Sequence, residues 1–330
     1  MASRIASRIA FTSLLFVSLV PAPAALAYGE PTGGYPTELE RAMLLLVNAA
    51  RQDPQAWCAL CSAPCQDFPD TPRAPLWYDL RLNHSARFHA RHLHDAPCFQ
   101  HDSCCTLEKR DGQVQCAAEP DPACTACSDS SCAGTDPFTR MALFDYPRGT
   151  GENIAAGNSG AWTTHCQWLN SPGHRDNLLT PSHAALGTGR YAGGACFNYY
   201  WVQNFGAEVT EAQPIVIGGH IDDGSFAINW YGGNLNGEVP GAPVTARVVL
   251  DGEAHDLALA WGEATNGTYT WKPDRTLAPR CHPYYFEVQG EDGVDRRYPS
   301  SGALVTASGQ AQCPLYEPEG GPAGGGGGDG

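Results

Sequence analysis

The sequence predicts an α+β protein in two parts, and three observations support this. Apolar residues recur at helical spacing in the first half of the chain, and alternating runs typical of strands end that half. From about Pro214, short Val/Ile/Tyr/Trp runs alternate with Gly, Pro and Asn/Asp turns; they include 226–231, 244–250 and 284–289. We therefore expect a first domain over 36–208 and a small immunoglobulin- or fibronectin-like β-sandwich module over 214–313.

The first 27 residues have the features of a secretory signal peptide. Arg4 and Arg8 precede an apolar run over 9–20, and small residues lead to Ala27, after which we expect cleavage. The apolar run is shorter than the ~20 residues of a membrane helix, and no later stretch reaches that length. The sequence therefore predicts a secreted, extracellular protein without a transmembrane segment.

The charge balance argues against one class of partner. Without the signal peptide, Lys and Arg fall from 20 to 18 while Asp and Glu stay at 35, which gives a formal net charge of -17. Because phosphate backbones attract basic surfaces, nucleic acid is not expected to bind this acidic chain.

Export also decides how the 14 cysteines are interpreted. An even number in an oxidising compartment predicts disulfides, although the two Cys-x-x-Cys pairs at 58–61 and 124–127 superficially resemble a zinc site. Seven cysteines fall in a cysteine-rich insertion at about 98–132, and three more cluster at 58–65. Because both counts are odd, at least one bridge should leave each cluster, and we expect the two clusters to be bridged to each other. Spacing alone leaves the connectivity open.

Local signals predict several elements of the first domain. Thr37 and Glu40 form a capping-box pattern ahead of a helix that should end near Asp53 and Pro54. A second helical pattern over 82–93 places three histidines on other faces, where we expect them at the surface: His84, His92 and His94.

The remaining elements close each part of the chain. A third helix is expected over 161–169, closed by a turn at 171–173, and strands are expected over 186–192 and 196–205. Cys281 and Cys313 should join within the β module. The Pro/Glu- and Gly-rich segment 314–330 is expected to be a disordered tail.

Four segments carry the residues suited to chemistry: His-Asp-Ser at 101–103, Gly-Glu-Asn-Ile at 151–154, Trp-Leu-Asn-Ser-Pro-Gly-His-Arg-Asp-Asn at 168–177, and Tyr-Trp-Val-Gln-Asn-Phe at 200–205. In this order, together with Asn-Ala-Ala-Arg at 48–51, they make the chain resemble the bacterial branch of the CAP superfamily. This superfamily, also named for its SCP domains, includes cysteine-rich secretory proteins, antigen 5 and plant pathogenesis-related proteins. The resemblance implies an α-β-α sandwich with a central antiparallel sheet.

The resemblance also implies a cleft in which His101 meets Glu152. Many relatives add a second glutamate after the Trp and a second histidine just before the final Gln. Ser171 and Tyr200 occupy those places here, ahead of Gln203, so the chain departs from the full tetrad. His174, in the Gly-His-Arg segment typical of the bacterial branch, is the expected third cavity residue.

Imidazole and carboxylate ligands suit a divalent metal such as Zn²⁺, so His101, Glu152 and His174 are the candidate metal ligands. The alternative is that these groups only hydrogen-bond the loops and helix ends around the cleft. They are also the candidate catalytic residues of an extracellular hydrolase. A triad with Ser171 as nucleophile is a weaker alternative, because the chain has no Gly-x-Ser-x-Gly elbow.

The sequence favours a secreted binding module whose cleft takes a small apolar or lipidic ligand or a divalent metal. Two alternatives remain open: an extracellular, metal-assisted hydrolase or protease, and a structural or adhesion protein that binds an extracellular or cell-surface partner. Fold alone does not choose between them.

Overall fold

The structure is a computed structural model that describes residues 36–317 except 97, 119–126, 128–133, 195, 211 and 310. The predicted signal peptide, part of the cysteine-rich insertion and most of the Gly-rich tail lie outside the described residues. No helix within the described ranges is long and apolar enough to cross a membrane.

The described residues form six α-helices: α1 Glu38–Gln52, α2 Pro54–Leu60, α3 Leu80–Asp95, α4 Pro137–Leu143, α5 Ala161–Leu169 and α6 Pro172–Leu179. Around them lie six strands and a short 3-10 turn at Cys65–Asp67: β1 Trp77–Tyr78, β2 Leu107–Arg110, β3 Gln113–Cys116, β4 Gly149–Ala156, β5 Ala185–Ala192 and β6 Tyr199–Gly206.

Ten further strands follow: β7 Ile215–His220, β8 Phe226–Tyr231, β9 Pro243–Leu250, β10 Glu253–Asp256, β11 Ala258–Glu263, β12 Asn266–Trp271, β13 Cys281–Gly290, β14 Asp295–Tyr298, β15 Ala303–Ala307 and β16 Tyr316–Glu317. The α+β fold class predicted from the sequence is confirmed.

A four-stranded sheet in the order β1-β5-β6-β4 forms the centre of the first part. Strands β5, β6 and β4 are antiparallel as expected, whereas the short β1 pairs parallel to β5. On one face, Ile154 and Val202 pack with α3 side chains, and a Cβ at Gly187 or Gly189 would overlap the α3 backbone. On the other face, Trp201 packs in the core that contains α1 and α5. Helices therefore cover both faces of this sheet.

Helix α1 begins with the predicted capping box, in which Thr37 and Glu40 bond reciprocally. It ends before Asp53, which also caps α2. Nearly every α1 residue is buried, because the helix lies between two sheets. A second four-stranded sheet, β11-β12-β8-β7, covers the side of α1 that faces away from β5.

Polar groups join α1 to this second sheet. Asn229 donates to the carbonyl oxygen of Leu45 at 3.3 Å and to the hydroxyl of Thr268 at 2.7 Å, and Thr268 in turn donates to Gln52. At the other end of α1, Glu38 accepts from His220 at 2.8 Å. Because buried polar groups need partners, these contacts fix the position of the sheet on the helix.

A six-stranded sheet built on β10-β9-β13-β15-β16, with β14 paired to β13, packs on the far face of the second sheet. Phe226 of β8 meets Tyr284 of β13 edge to face, with ring centroids 5.0 Å apart. The two sheets thus face each other, and one hydrophobic cluster runs from α1 and α5 into both. The division into 36–208 and 214–313 stays a prediction, since this core is continuous across it.

Three local predictions are corrected. His92 is 8 % exposed, because its Nε2 accepts the backbone N–H of Cys104 under the loop that follows α3. Pro172 begins α6 and does not form a turn, since proline fits the first helical position. The last strand of the central sheet, β6, starts at Tyr199 and not at the predicted Cys196.

The described cysteines are all paired: Cys58–Cys65, Cys61–Cys166, Cys98–Cys104, Cys105–Cys116, Cys127–Cys196 and Cys281–Cys313. Among the described cysteines, one bridge leaves each cluster, but the predicted bridge between the clusters is wrong, because all three cysteines of 58–65 pair elsewhere. Cys61 ends α2 beside α5, where Cys166 lies, and Asn170 fixes this contact by donating to the Cys61 carbonyl at 2.9 Å.

The shared core predicts that the first part and the β sheets unfold together. With the disulfides intact, calorimetry should show one transition whose van't Hoff and calorimetric enthalpies agree. Thr268→Val removes the link between Asn229 and Gln52, and should cost about 1–3 kcal/mol because it leaves buried polar groups without partners. The substitution should lower the temperature of the single transition and should not split it into two. Two resolved transitions in the wild type would contradict the shared core.

Buried histidines predict a loss of stability in mild acid. Burial lowers the pKa of His165 to about 3. Burial and the positive charge of Arg140 lower the pKa of His92 to about 4. Burial and the positive charge of Arg51 lower the pKa of His183 to about 4. Unfolded histidine titrates near ~6.5, so between about pH 6.5 and 4 the unfolded chain binds more protons. The free energy of unfolding should fall as the pH drops through this window.

Denaturant melts at stepped pH measure this effect. His165→Phe, which keeps a ring against Trp57, should flatten the slope by about 1.4 kcal/mol per pH unit, because one titrating group is gone. Burial and the charge of Arg87 also lower the pKa of His84, but this residue is exposed on α3, so His84→Phe should flatten the slope less than His165→Phe and serves as the comparison. A wild-type stability that stays constant from about pH 6.5 to 4 would show that these histidines do not stay neutral in the folded chain.

Candidate functional site

The site forms around β4, an edge strand of the central sheet. Neighbouring residues of a strand point to opposite faces, so Glu152, which pairs with Asn204, faces α3, while Asn153, which pairs with Gln203, faces the side of α6. The Glu152 side chain is only 2 % exposed. A buried carboxylate needs partners, and three different elements supply them.

Both carboxylate oxygens of Glu152 are occupied. Oε1 faces Nδ1 of His101 at 3.0 Å, and Oε2 is ion-paired with Nη2 of Arg140. With its amide oriented to satisfy its neighbours, Asn204 also donates to Oε2 at 2.9 Å and accepts from Ser85 at 3.0 Å. The carboxylate is therefore saturated by protein groups.

Arg140 reaches Glu152 from α4. That helix starts where Asp136 caps the N–H groups of Phe138 and Thr139 and proline takes the first helical position. The guanidinium is fully buried, and its Nη1 donates to the His101 carbonyl at 3.1 Å and to the Ser103 hydroxyl at 2.9 Å. Arg140 thus joins α4, the 101–103 segment and β4.

His101 is the accessible member of the site. Its side chain is 51 % exposed, and the bond to Glu152 uses Nδ1. Since the carboxylate is an acceptor, a neutral His101 carries its proton on Nδ1, and its Nε2 presents a lone pair away from Glu152. The site therefore offers a hydrogen-bond acceptor at the surface.

His89 of α3 lies behind the pair, with Nε2 at 4.0 Å from Glu152 Oε1. Burial, together with the positive charge of Arg140, lowers the pKa of His89 well below its ordinary value, so His89 is neutral. Its Nε2 is 3.0 Å from the Gln100 carbonyl, one residue before His101. Arg140 is therefore the counter-charge of Glu152, and His89 supports the loop.

His174 lies on α6, on the other side of the β4 edge. Burial and the nearby charge of His101 lower its pKa, and its Nδ1 is buried without a hydrogen bond among the described residues. Asn153 joins it to the sheet by donating to the His174 carbonyl at 3.2 Å and to Gln203 Oε1 at 3.1 Å. Asn177 also binds β4, through the Glu152 carbonyl at 3.1 Å.

The structure does not bring Ser171 or Tyr200 to the His101–Glu152 pair. Ser171 precedes α6, and its hydroxyl makes no hydrogen bond with His174 in the described part of the chain. Tyr200 is fully buried against α3, four residues along β6 from the partner of Glu152, and its hydroxyl accepts the Phe197 amide at 3.1 Å. Gln203 is close in sequence but faces away from Glu152.

The predicted metal ligands do not fit a three-ligand centre in this arrangement. Within the described ranges, two His/Cys/Asp/Glu sets bring their ligand atoms within 4.8 Å of one another, and both centre on His92. The cysteines of those sets are in disulfides and offer no thiolate. His101, Glu152 and His174 do not form such a set. Metal binding stays a prediction for a titration to test.

Sequence reasoning missed Arg140, His89 and Asn204. The Asp-Pro pair at 136–137 is a helix-start signal that could have placed a short helix before Arg140. Nothing in the sequence indicates that its guanidinium turns toward Glu152, because that contact is set by how α4 packs on β4. The positions of His89 on α3 and Asn204 on β6 could be predicted, but not their contacts.

The match to a family model supports the family resemblance. The model of the CAP family, described as the cysteine-rich secretory protein family, matches residues 44–205. A solved structure of an extracellular protein containing an SCP domain, from Bacillus anthracis str. Ames, is 23 % identical over 47 % of this chain and 37 % of that chain, with a TM-score of 0.29. No curated protein matches the chain. Through residues 44–205, the chain belongs to the CAP superfamily.

Proposed function

We propose that this CAP-domain protein is a binding module whose cleft takes a small lipidic ligand that carries a hydroxyl group. The family and the described disulfides both suggest a secreted protein. The observation that supports the proposal is the half-exposed His101 imidazole, which is fixed through Nδ1 and offers Nε2 to a ligand.

The charge of the site favours a hydroxyl group over a carboxylate. Arg140 balances Glu152, and the lowered pKa values of His89 and His174 keep both neutral. A neutral imidazole nitrogen with a lone pair accepts from an O–H donor, but it offers no proton and no charge to an anionic carboxylate. When His101 is neutral, an alcohol therefore satisfies its Nε2 better than a fatty acid anion does.

Aromatic rings that adjoin the site residues along the chain or by packing supply apolar surface. Phe99, two residues before His101, packs edge to face on Phe197 with centroids 5.5 Å apart, and Phe197 is 36 % exposed. Phe138, on the same helix as Arg140, is 50 % exposed. Such rings could bury part of an apolar ligand at about 25 cal/mol per Å² of apolar surface.

A hydrolase is the second candidate, because a carboxylate that orients a histidine is also the geometry of a general base. The missing part is a nucleophile. Ser171 makes no hydrogen bond with His174, and the described residues provide no serine or cysteine hydrogen-bonded to Nε2 of His101. Turnover of an ester or peptide, lost in His101→Ala, would favour this candidate. The adhesion alternative stays a prediction.

The proposal predicts that the protein prefers a sterol to the ketone made by oxidising its hydroxyl group. The ketone lacks the donor that Nε2 of His101 needs, and a hydrogen bond of about 1 kcal/mol corresponds to roughly fivefold in the dissociation constant. Both ligands should be titrated into wild type and His101→Ala, and binding followed by tryptophan fluorescence or by extraction.

His101→Ala should bind the two ligands equally, whereas His84→Ala, at an exposed position on α3, should keep the preference for the sterol. Equal affinities in the wild type would rule out recognition through His101. Absence of sterol binding by wild type, together with a clean lipid extract, would count against the lipid-binding function itself.

A further inference from the structure

We infer that Arg140 serves as a built-in cation at the His101–Glu152 pair, and that its buried guanidinium keeps divalent metal ions out of this site. The inference concerns a positioning residue and does not rest on the proposed lipid ligand.

The first step is the position of the guanidinium. Arg140 is ion-paired with Glu152 through Nη2, and through Nη1 it holds the same segment that supplies His101. An ion that used Glu152 and His101 as ligands would therefore lie within a few ångströms of a fixed positive charge. The guanidinium stays protonated in proteins, so this charge cannot be removed by titration.

The second step is the charge balance. Glu152 is the carboxylate of the pair, and Arg140 neutralises it in a place where neither side chain is exposed. Asn204 contributes an amide that donates to the carboxylate oxygen an ion would need. The Glu152–Arg140 pair therefore has no net negative charge of its own to offset the desolvation of a divalent cation.

The third step is the ligand geometry. Nδ1 of His101, the nitrogen nearest to Glu152, is taken up by Oε1 at 3.0 Å, and a neutral histidine that donates from Nδ1 cannot also bind an ion there. The other oxygen is held by Arg140 and Asn204. To coordinate Glu152, an ion would have to displace either the partly buried bond to His101 or the buried bonds to Arg140 and Asn204.

Metal titration of wild type, Arg140→Met and Arg140→Lys tests this inference. Calorimetry with Zn²⁺ measures affinity, and the visible absorption of Co²⁺ shows whether imidazole ligands are engaged. A neighbouring arginine cation lowers the affinity of a carboxylate for a proton by about 1–3 pKa units, and the same repulsion acts on a metal cation, so removing Arg140 should strengthen Zn²⁺ binding at least tenfold. Arg140→Lys keeps the charge and should behave like wild type.

Two controls separate loss of charge from loss of fold. Arg140→Met/Glu152→Gln removes both charges together, and should fold without gaining metal affinity. Arg140→Met/His101→Ala should lose any affinity that the single variant gains, which places the ion at this pair.

The inference would be overturned if wild-type protein bound Zn²⁺ and His101→Ala did not. This comparison does not require Arg140→Met to fold. A folded Arg140→Met that gains no affinity would also overturn it. The expected result is that Arg140→Met gains Zn²⁺ affinity, whereas Arg140→Lys keeps the affinity of the wild type.

Discussion

The site depends on how a carboxylate is kept charged inside the protein. Glu152 is almost fully buried on an edge strand, where an unpaired ion would be too costly. Its partners come from three elements that are distant in sequence: Arg140 of α4, His101 of the loop after α3, and Asn204 of β6. Satisfying one side chain therefore fixes a helix, a loop and a strand, and leaves one imidazole exposed.

Helix α1 supports this site from a distance. Arg51 donates to the carbonyl groups of Leu178 and Thr180 at the end of α6, the helix that carries His174, and Asn48 holds the backbone of Leu76 beside β1. The second four-stranded sheet covers the opposite side of α1. The β sheets after 214 thus complete the burial of the helix on which the CAP domain is built, which gives the module a structural role whatever else it binds.

Local signals in the sequence predicted α1, α5 and the antiparallel strands, because capping and periodicity depend on near neighbours. The meeting of His101 and Glu152 followed only from the family resemblance, since these residues are 51 positions apart. His92 was misplaced because helical periodicity does not show the loop that returns over α3. Cys61 pairs with Cys166 because α2 packs on α5. The contact of Arg140 with Glu152 could not be predicted either, because it depends on how α4 packs on β4.

The central claim is that Glu152 holds His101 with the proton on Nδ1, so that Nε2 offers its lone pair to a ligand. Nitrogen chemical shifts of the imidazole in isotope-labelled protein report this directly, with the signals assigned by their absence in His101→Ala. We expect a protonated Nδ1 and an Nε2 without a proton in the neutral ring. A neutral His101 with its proton on Nε2 would contradict it, because neither the bond to Glu152 nor the exposed acceptor would then exist.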